Sequence, residues 1–239
     1  MCGISLSYFN FSTKENEKNL EEKLIIIEKF LNENKLSILI NELHELKKNS
    51  IYINLVLNKD GIIENKLKKI ISKLNSIKKE NSNLEILKDV SWIINEEILQ
   101  KSYQINKFLK KNQININKNS IILIKNLLFE LDSLNYLESR GRDSASLSIN
   151  LVSSETIKFN KEKAEPNRKN KFIFVKKIKN NKFFINCVVK CANQIGYSGQ
   201  NSLELLNNLN KSNLFKKLDY SKLLTGYIIT HTRWASVGD

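Results

Sequence analysis

The spacing of hydrophobic positions changes along the chain and predicts where a strand gives way to helices. Residues 2–9 alternate apolar and small polar side chains, which is typical of a β-strand. Between residues 11 and 119 the apolar positions recur every three or four residues, which predicts amphipathic helices. The most regular faces are Leu20, Leu24, Ile27 and Leu31, and then Leu67, Ile70, Ile71, Leu74 and Ile77. We therefore expect residues 11–119 to form a mainly helical insertion.

Two stretches of this insertion depart from the helical pattern. The short apolar run 51–57 is followed by Asp60-Gly61 and is predicted to be a strand. The polar stretch 111–119 is predicted to be a linker to the second half of the chain.

The second half begins with a predicted long helix. Ser120 is a suitable N-cap residue, and Gly141 is expected to end the helix because glycine adopts the left-handed conformation without strain. The predicted apolar stripe of this helix consists of Ile124, Leu127, Leu128, Leu131, Leu134 and Leu137.

Alternating patterns further along the chain predict a group of strands. They cover residues 144–152, 172–178, 183–191 and 225–233. A Gly-Tyr-Ser-Gly turn at 196–199 precedes a short predicted helix. The residues expected on its buried face are Leu203, Leu206 and Leu209.

The composition narrows the possible partners. The formal net charge is +14, but nearly all of the 39 basic residues are lysines. Lysine in excess beside abundant Asn and Ile is typical of a solvated surface, so we do not expect a nucleic-acid partner. No apolar run is long enough to cross a bilayer and no export signal opens the chain, so we expect no membrane partner.

The cysteines indicate the compartment and argue against a metal site. Three cysteines are an odd number, which predicts reduced thiols in the cytoplasm. Cys187 and Cys191 are four residues apart on a predicted strand, so they share a face. Neither a histidine nor a third cysteine accompanies them, and we interpret them as core thiols. We expect neither a metal nor a cofactor.

Cys2 is the first candidate for chemistry. Removal of Met1 would give Cys2 both a thiol and a free α-amine. The thiolate is the nucleophile of cysteine chemistry, and an α-amine with an ordinary pKa of roughly 8 can act as a general base. Any chain can also begin Met-Cys by chance, so this interpretation depends on other residues.

Arginine is rare in this chain, which makes its positions informative. The planar guanidinium of Arg233 can bind a carboxylate through two parallel hydrogen bonds, and Trp234 and Ser236 add a ring and a hydroxyl beside it. Two further arginines lie close together in Arg140-Gly141-Arg142-Asp143. The simpler interpretations are a strand end with a surface arginine, and a helix C-cap followed by a surface ion pair.

Three segments together resemble the opening motifs of the class II glutamine amidotransferases. They occur in the order of the family, and the resemblance covers about residues 1–10 and 120–239. The last segment is most similar to that of the glucosamine-6-phosphate synthases, whereas Arg-Gly-x-Asp is shared with amidophosphoribosyltransferases and asparagine synthetases. The segments are Met1-Cys2-Gly3-Ile4, Leu137-Glu138-Ser139-Arg140-Gly141-Arg142-Asp143-Ser144-Ala145, and His231-Thr232-Arg233-Trp234-Ala235-Ser236.

The resemblance implies a fold and a set of roles. The fold is the α+β N-terminal-nucleophile hydrolase fold, in which helices enclose two stacked antiparallel sheets in α/β/β/α layers. Cys2 is implied as the nucleophile with its α-amine as the general base, and Arg233 as the group that holds the α-carboxylate of L-glutamine. The other implied positions are Trp234 and Ser236, lining the pocket, and Arg140, Gly141 and Asp143, supporting the loop around the nucleophile.

His231 is a further supporting candidate. It precedes Arg233 by two residues, so on a strand both side chains point to one face. The side chain of His231 is therefore expected either to line the pocket or to pack in the core.

The resemblance also implies partners. Glutamine is hydrolysed to glutamate and ammonia, and a downstream domain of a homo-oligomeric enzyme adds the ammonia to fructose-6-phosphate. The family's His-Asn-Gly segment, which donates to the oxyanion, has no counterpart up to Asp239, so we expect the chain to be a fragment with poor activity alone. Ser139, Arg142 and Val237 also depart from the family pattern.

Two other functions are open at this point. The chain could be the glutaminase part of an amidophosphoribosyltransferase-like enzyme, followed by a phosphoribosyl-transfer domain. Alternatively, residues 11–119 could be a basic helical binding module beside a degenerate glutaminase portion, an interpretation that Val237 favours.

Overall fold

The computed structural model describes residues 3–11, 20–33, 35–57, 61–77, 84–138, 143–157, 171–192 and 199–233. They form two compact units, one built on a β-sheet and one helical, which confirms the predicted α+β class. The sheet unit is drawn from the ranges 1–13, 111–115 and 122–239, and the helical unit from 14–110 and 116–121.

The sheet of the described residues has five strands, all paired antiparallel. Their spatial order is β1-β5-β2-β4-β3, so the last strand lies between the first and the second. The predicted N-terminal strand and the four predicted strands of the second half are confirmed. The bounds are β1 (Gly3–Asn10), β2 (Ser144–Ser153), β3 (Lys171–Lys177), β4 (Phe183–Cys191) and β5 (Leu223–Arg233).

One face of the sheet carries the hydrophobic core of this unit. Helices α7 (Lys118–Leu137) and α8 (Gln200–Lys211) pack on it. After α8 the chain continues through the short helix α9 (Leu214–Lys217) and a 3₁₀ turn (Tyr220–Lys222) into β5. Alternate strand residues point into this core because successive side chains of a strand point to opposite faces. They include Ala145, Leu147, Ile149 and Leu151 of β2, and Ile185, Cys187, Val189 and Cys191 of β4.

The other face of β1 is apolar and exposed. Ile4, Leu6 and Tyr8 are 68%, 61% and 68% exposed, and they alternate with the inward-facing Ser5 and Ser7. Large apolar side chains in a row on a sheet face mark a surface that another layer can cover.

The helical unit contains six α-helices within its described residues. A π-helical segment, Ile93–Gln100, joins the last two of them. The predicted faces of the first and fourth helices are buried at Leu20, Leu24, Ile27 and Leu31, and at Leu67, Ile70 and Leu74. The helices are α1 (Leu20–Asn32), α2 (Leu36–Leu46), α3 (Asn49–Leu57), α4 (Ile62–Ile77), α5 (Leu84–Trp92) and α6 (Lys101–Lys111).

The prediction of a strand at 51–57 is wrong, because this run forms most of α3. Short apolar runs have no periodicity that distinguishes a buried strand from a buried helix. Here the helix is buried from Ile51 to Ile53, and the Tyr52 hydroxyl donates to the carbonyl oxygen of Glu97 at 2.9 Å. Tertiary packing therefore overrides the β-propensity of the run.

The predicted N-cap of α7 is three residues too late. The helix begins at Lys118, and the Asn117 side chain accepts the Ser120 N–H at 3.0 Å while the Ser120 hydroxyl accepts the Asn117 N–H at 3.0 Å. This reciprocal pair is a capping box in which Asn117 is the cap and Ser120 its partner.

The predicted face of α8 is also wrong in part. Leu203 is exposed, and the buried face consists of Asn201, Ser202, Leu205 and Leu209. The polar members face inward because they have partners there: the Ser202 hydroxyl donates to Asn135 Oδ1 at 2.6 Å. In the described part of the chain, none of the helices has the length and hydrophobicity needed to span a membrane.

Candidate active site at one end of the sheet

The three segments that carry the resemblance meet at one end of the sheet. β1 begins there at Gly3, β5 ends there at Arg233 and β2 begins there at Ser144. Gly3 lies opposite Thr232 across β1 and β5, and Ser144 lies opposite Arg233 across β2 and β5. Residues from the beginning, middle and end of the chain therefore share one small region.

The backbone of Asp143 extends this arrangement by one residue. Its N–H donates to the carbonyl oxygen of Arg233 at 3.1 Å. The last residue of the Arg-Gly-x-Asp motif is thus hydrogen-bonded to the arginine of the closing motif. Their proximity could not be read from the sequence, because it depends on β5 lying beside β2.

Side chains of β5 alternate strictly at this end. Arg233 is exposed and His231 is half-buried on the face away from α7, whereas Thr230 and Thr232 are fully buried on the face toward it. The prediction that His231 and Arg233 share a face is confirmed. Arg233 is free to meet a ligand from solvent on that face, and its role remains a prediction.

The Thr232 hydroxyl connects three elements. It accepts the N–H of Gly3 at 3.3 Å and donates to the carbonyl oxygen of Leu137 at 3.4 Å. Leu137 is the last residue of α7, and the final carbonyls of a helix have no partner within the helix. The hydroxyl therefore links β1, β5 and the end of α7.

Gly3 is surrounded closely on the same side. A Cβ atom added there would lie 2.9 Å from Leu137 Cδ2 and 3.0 Å from Thr232 Oγ1. Contacts this short require the neighbours to move. Any side chain at this position therefore requires Leu137 or Thr232 to shift.

A buried carboxylate lies further along the same face. Glu130 of α7 is 2% exposed and accepts hydrogen bonds from the Ser7 hydroxyl at 2.5 Å and the Thr230 hydroxyl at 3.0 Å. Hydroxyl donors on both neighbouring strands satisfy a carboxylate that burial would otherwise destabilise. These bonds fix α7 over β1 and β5.

Glu138 is a second buried acidic residue, directly after α7. It is 2% exposed, and its Oε2 accepts the N–H of Gly199 at 2.7 Å. Gly199 has φ +88°, which favours glycine, and it immediately precedes α8. The carboxylate therefore connects the end of α7 to the start of α8.

Sequence reasoning assigned no role to Thr232, Glu130 or Glu138. The only signal for Thr232 was its position between His231 and Arg233, which on a strand places its side chain on the face opposite theirs. Nothing in the sequence indicated Glu130, which is one of several acidic residues in the predicted helix. Its burial depends on hydroxyl groups from two strands that are distant in sequence.

Several predicted site residues lie outside the described residues. They are Cys2, Arg140, Gly141, Trp234 and Ser236, together with the departures Ser139, Arg142 and Val237. Of the predicted site, the structure describes Asp143, His231 and Arg233, and it brings all three to the same end of the sheet.

Cys187 and Cys191 are buried free thiols on the helix-covered face, which confirms the interpretation as core residues. Burial raises the pKa of each thiol to about 12, and the charge of Glu204 adds to the effect at Cys191. Within the described part of the chain, no group of three or more His, Cys, Asp and Glu side chains could hold a metal ion.

Comparison of this chain with known protein families, with curated proteins and with solved structures finds no significant match.

Proposed function

We propose that this chain is the glutaminase portion of a class II glutamine amidotransferase that uses Cys2 as its nucleophile. The observation that carries the proposal is the meeting of Gly3, Asp143 and Arg233 at one end of the sheet. Hydrolysis of glutamine requires a nucleophile with a general base, and a group such as an arginine that binds the α-carboxylate nearby.

The proposed chemistry begins with the Cys2 thiol. The α-amine accepts the thiol proton, and the resulting thiolate attacks the side-chain amide carbon of glutamine. The tetrahedral oxyanion collapses to a thioester, and the α-amine returns the proton to the departing ammonia. Water then hydrolyses the thioester, which releases glutamate and restores the thiol. Arg233 would hold the α-carboxylate throughout, with Trp234 and Ser236 lining the pocket.

The oxyanion donors are not assigned within this chain. The N–H of Gly3, although adjacent to Cys2 in sequence, already donates to Thr232 Oγ1 and is not a suitable donor. Oxyanion stabilisation is usually the largest single contribution to such catalysis. We therefore propose that efficient turnover requires donors other than those described here.

The exposed apolar face of β1 supports the layered fold of this family. Ile4, Leu6 and Tyr8 offer a surface on which the second sheet of an α/β/β/α arrangement can pack. The helix layer of α7 and α8 on the opposite face is the other half of such an arrangement.

The acceptor of the ammonia is proposed from the closing motif. The His-Thr-Arg-Trp-Ala string favours fructose-6-phosphate, and hence glucosamine-6-phosphate as the product of the whole enzyme. A homo-oligomer is part of the same proposal.

Labelling of the thiol tests the proposal. A diazo ketone analogue of glutamine should modify Cys2 stoichiometrically, and L-glutamine should protect it. The Cys2→Ala variant should not be labelled, whereas the matched Cys187→Ala variant should be labelled like wild type because Cys187 is buried in the core. Peptide mapping should also find Cys2 as the mature N-terminus. Unchanged labelling of Cys2→Ala, or no labelling of the wild type, would overturn the proposal.

A further inference from the structure

Thr232 is the residue through which the end of β5 holds the beginning of β1. We propose that Thr232 is a positioning residue, which fixes the peptide group that follows Cys2 relative to the ligand-binding side chain of Arg233. This inference rests on the proposed function, but the contact that carries it belongs to the described structure.

The Thr232 hydroxyl hydrogen-bonds to two other elements. Thr232 has no solvent exposure, and its hydroxyl accepts the Gly3 N–H and donates to the Leu137 carbonyl. The bond from the Gly3 N–H is buried and the bond to the Leu137 carbonyl is partly buried, and an unsatisfied polar group in such a region is costly. One hydroxyl therefore sets the position of the strand start and of the helix end together.

Close packing around Gly3 also supports the positioning role. A Cβ at this position would lie 2.9 Å from Leu137 Cδ2 and 3.0 Å from Thr232 Oγ1. The absence of a side chain on the residue after Cys2 is thus what lets β1 come this close to the end of α7 and to Thr232. The hydrogen bond from the Gly3 N–H holds the strand in that close approach.

Thr232 and Arg233 are adjacent residues of β5. Successive residues of a strand point to opposite faces, so Thr232 faces α7 while Arg233 is exposed on the other face. A single peptide bond therefore links the residue that anchors β1 to the residue proposed to bind the glutamine carboxylate. The distance from anchor to carboxylate binder is fixed by the geometry of one strand.

The test separates positioning from general stability. Thr232→Val keeps the shape of the side chain and removes the hydroxyl, whereas Thr232→Ser keeps the hydroxyl. Thr230→Val is the matched control, because Thr230 is equally buried on the same face of β5 but its hydroxyl donates to Glu130. For each protein, the rate of Cys2 modification is measured with the diazo ketone analogue of glutamine and with iodoacetamide.

The readout is the rate of Cys2 modification by the glutamine analogue divided by its rate of modification by iodoacetamide. Iodoacetamide needs only an accessible thiolate, whereas the glutamine analogue must be held at its carboxylate with the thiol in line. We expect Thr232→Val to lower this ratio roughly 10- to 100-fold, as small displacements of a reacting group do. Thr232→Ser should restore it to within about 3-fold of wild type, and Thr230→Val should leave it unchanged even where stability falls.

The outcomes distinguish this inference from the proposed function. If the wild type is labelled by the analogue and Thr232→Val retains the wild-type ratio, the positioning role is wrong and the proposed function stands. If Thr230→Val lowers the ratio as strongly as Thr232→Val, the effect is one of general packing and the positioning role is again wrong. If the wild type is not labelled, both fall. Faster amide exchange of Gly3 in Thr232→Val than in Thr230→Val would support the contact independently of any glutamine analogue.

Discussion

Asp143 donates its backbone N–H to the carbonyl oxygen of Arg233, 3.1 Å away. This bond lies at the end of the β2–β5 ladder, beside the pair Ser144 and Arg233. The backbone of Arg233 is thereby held by a neighbouring strand while its side chain is exposed. Substitutions of this side chain should therefore test its proposed role in ligand binding without disturbing the fold.

We predict that Arg233→Lys weakens glutamine binding selectively. Lysine keeps the charge but lacks the planar fork that binds a carboxylate through two bonds. The glutamine concentration that half-protects Cys2 from labelling should rise roughly 10-fold or more. The thermal midpoint should stay near that of wild type because the side chain is exposed. Lys190→Ala is the control, because it removes an exposed charge on β4 from the sheet face that also carries Arg233. It should leave the protection by glutamine unchanged. An equal loss of protection in Lys190→Ala would show that only the net positive charge of this face matters.

Gly3→Ala should destabilise the protein and also lower the rate at which the glutamine analogue labels Cys2. The added methyl group would lie 2.9 Å from Leu137 Cδ2, and overpacking of this kind costs about 1–3 kcal/mol in the free energy of unfolding. Urea denaturation measures this loss, and labelling with the glutamine analogue measures the effect on Cys2.

Gly226→Ala is the matched control for that substitution. Its Cβ would lie 2.7 Å from Leu151 Cδ2, 2.7 Å from Phe9 Cε2 and 2.9 Å from the Asn150 carbonyl oxygen, so it should destabilise the same sheet at least as much. Gly226 pairs with Phe9, far along β1 from Gly3, and Cys2 labelling at a temperature where both variants are folded should be normal. Equal loss of labelling in the two variants would contradict a local effect at Gly3.

The two core thiols predict a pH dependence of stability. Burial raises the pKa of Cys187 and Cys191 from an ordinary 9.0 to about 12. Above pH 9 the unfolded chain loses these protons while the folded chain keeps them, so their contribution to stability is complete below pH 9 and is lost between pH 9 and 12. Urea unfolding followed from pH 7 to 11 should show a falling midpoint. At pH 8 in the native protein, Ellman's reagent should not react with either residue.

A double alanine variant is the control for the thiols. Cys187→Ala with Cys191→Ala should be less stable overall but should lose less stability between pH 9 and 10. Above pH 10 a decline should persist in both proteins, because burial also raises the pKa of Tyr52 and Tyr220 above the ordinary 10.0. An identical pH profile in the two proteins would show that the thiols do not cause the dependence.

Glu130 and Thr230 should be energetically coupled. Glu130→Leu leaves the Ser7 and Thr230 hydroxyls without their carboxylate, and a buried hydroxyl without a partner costs about 1–3 kcal/mol. Adding Thr230→Val removes one of these hydroxyls, so the double variant should be more stable than the sum of the two single changes by about 0.5 kcal/mol or more. Urea denaturation of the four proteins measures this coupling, and strict additivity would contradict it.

Periodicity predicted most of the elements because their faces are decided locally. From Ser144 to Leu151 polar and apolar residues alternate along the strand, and the apolar residues expected inside are inside. Periodicity failed for 51–57, where every position but the amide-bearing Asn54 is apolar and the sequence leaves no period to read. It also failed at Leu203, because buried polar residues of α8 depend on partners such as Asn135 from another helix.

The candidate site was predictable in its residues but not in its geometry. The motifs identified Arg233 and Asp143, and spacing placed His231 on the face of Arg233. The contact between Asp143 and Arg233 depends on strand order, which local patterns do not encode. Thr232 was visible in the sequence only as a member of the closing segment, and its bonds to Gly3 and Leu137 require the positions of β1 and α7.

The pairing of β1 with β5 has a consequence for the order of folding. Gly3 and Thr232 are separated by 229 positions, so during synthesis β1 must wait for β5 before the two can pair. The helices α1–α6 encoded between them belong to a compact unit of their own and can fold meanwhile. During that interval the Ile4, Leu6 and Tyr8 face of an unpaired strand is available to other chains. Slow translation or truncation before β5 should therefore favour aggregation through β1, and chaperones should be needed most at that stage of synthesis.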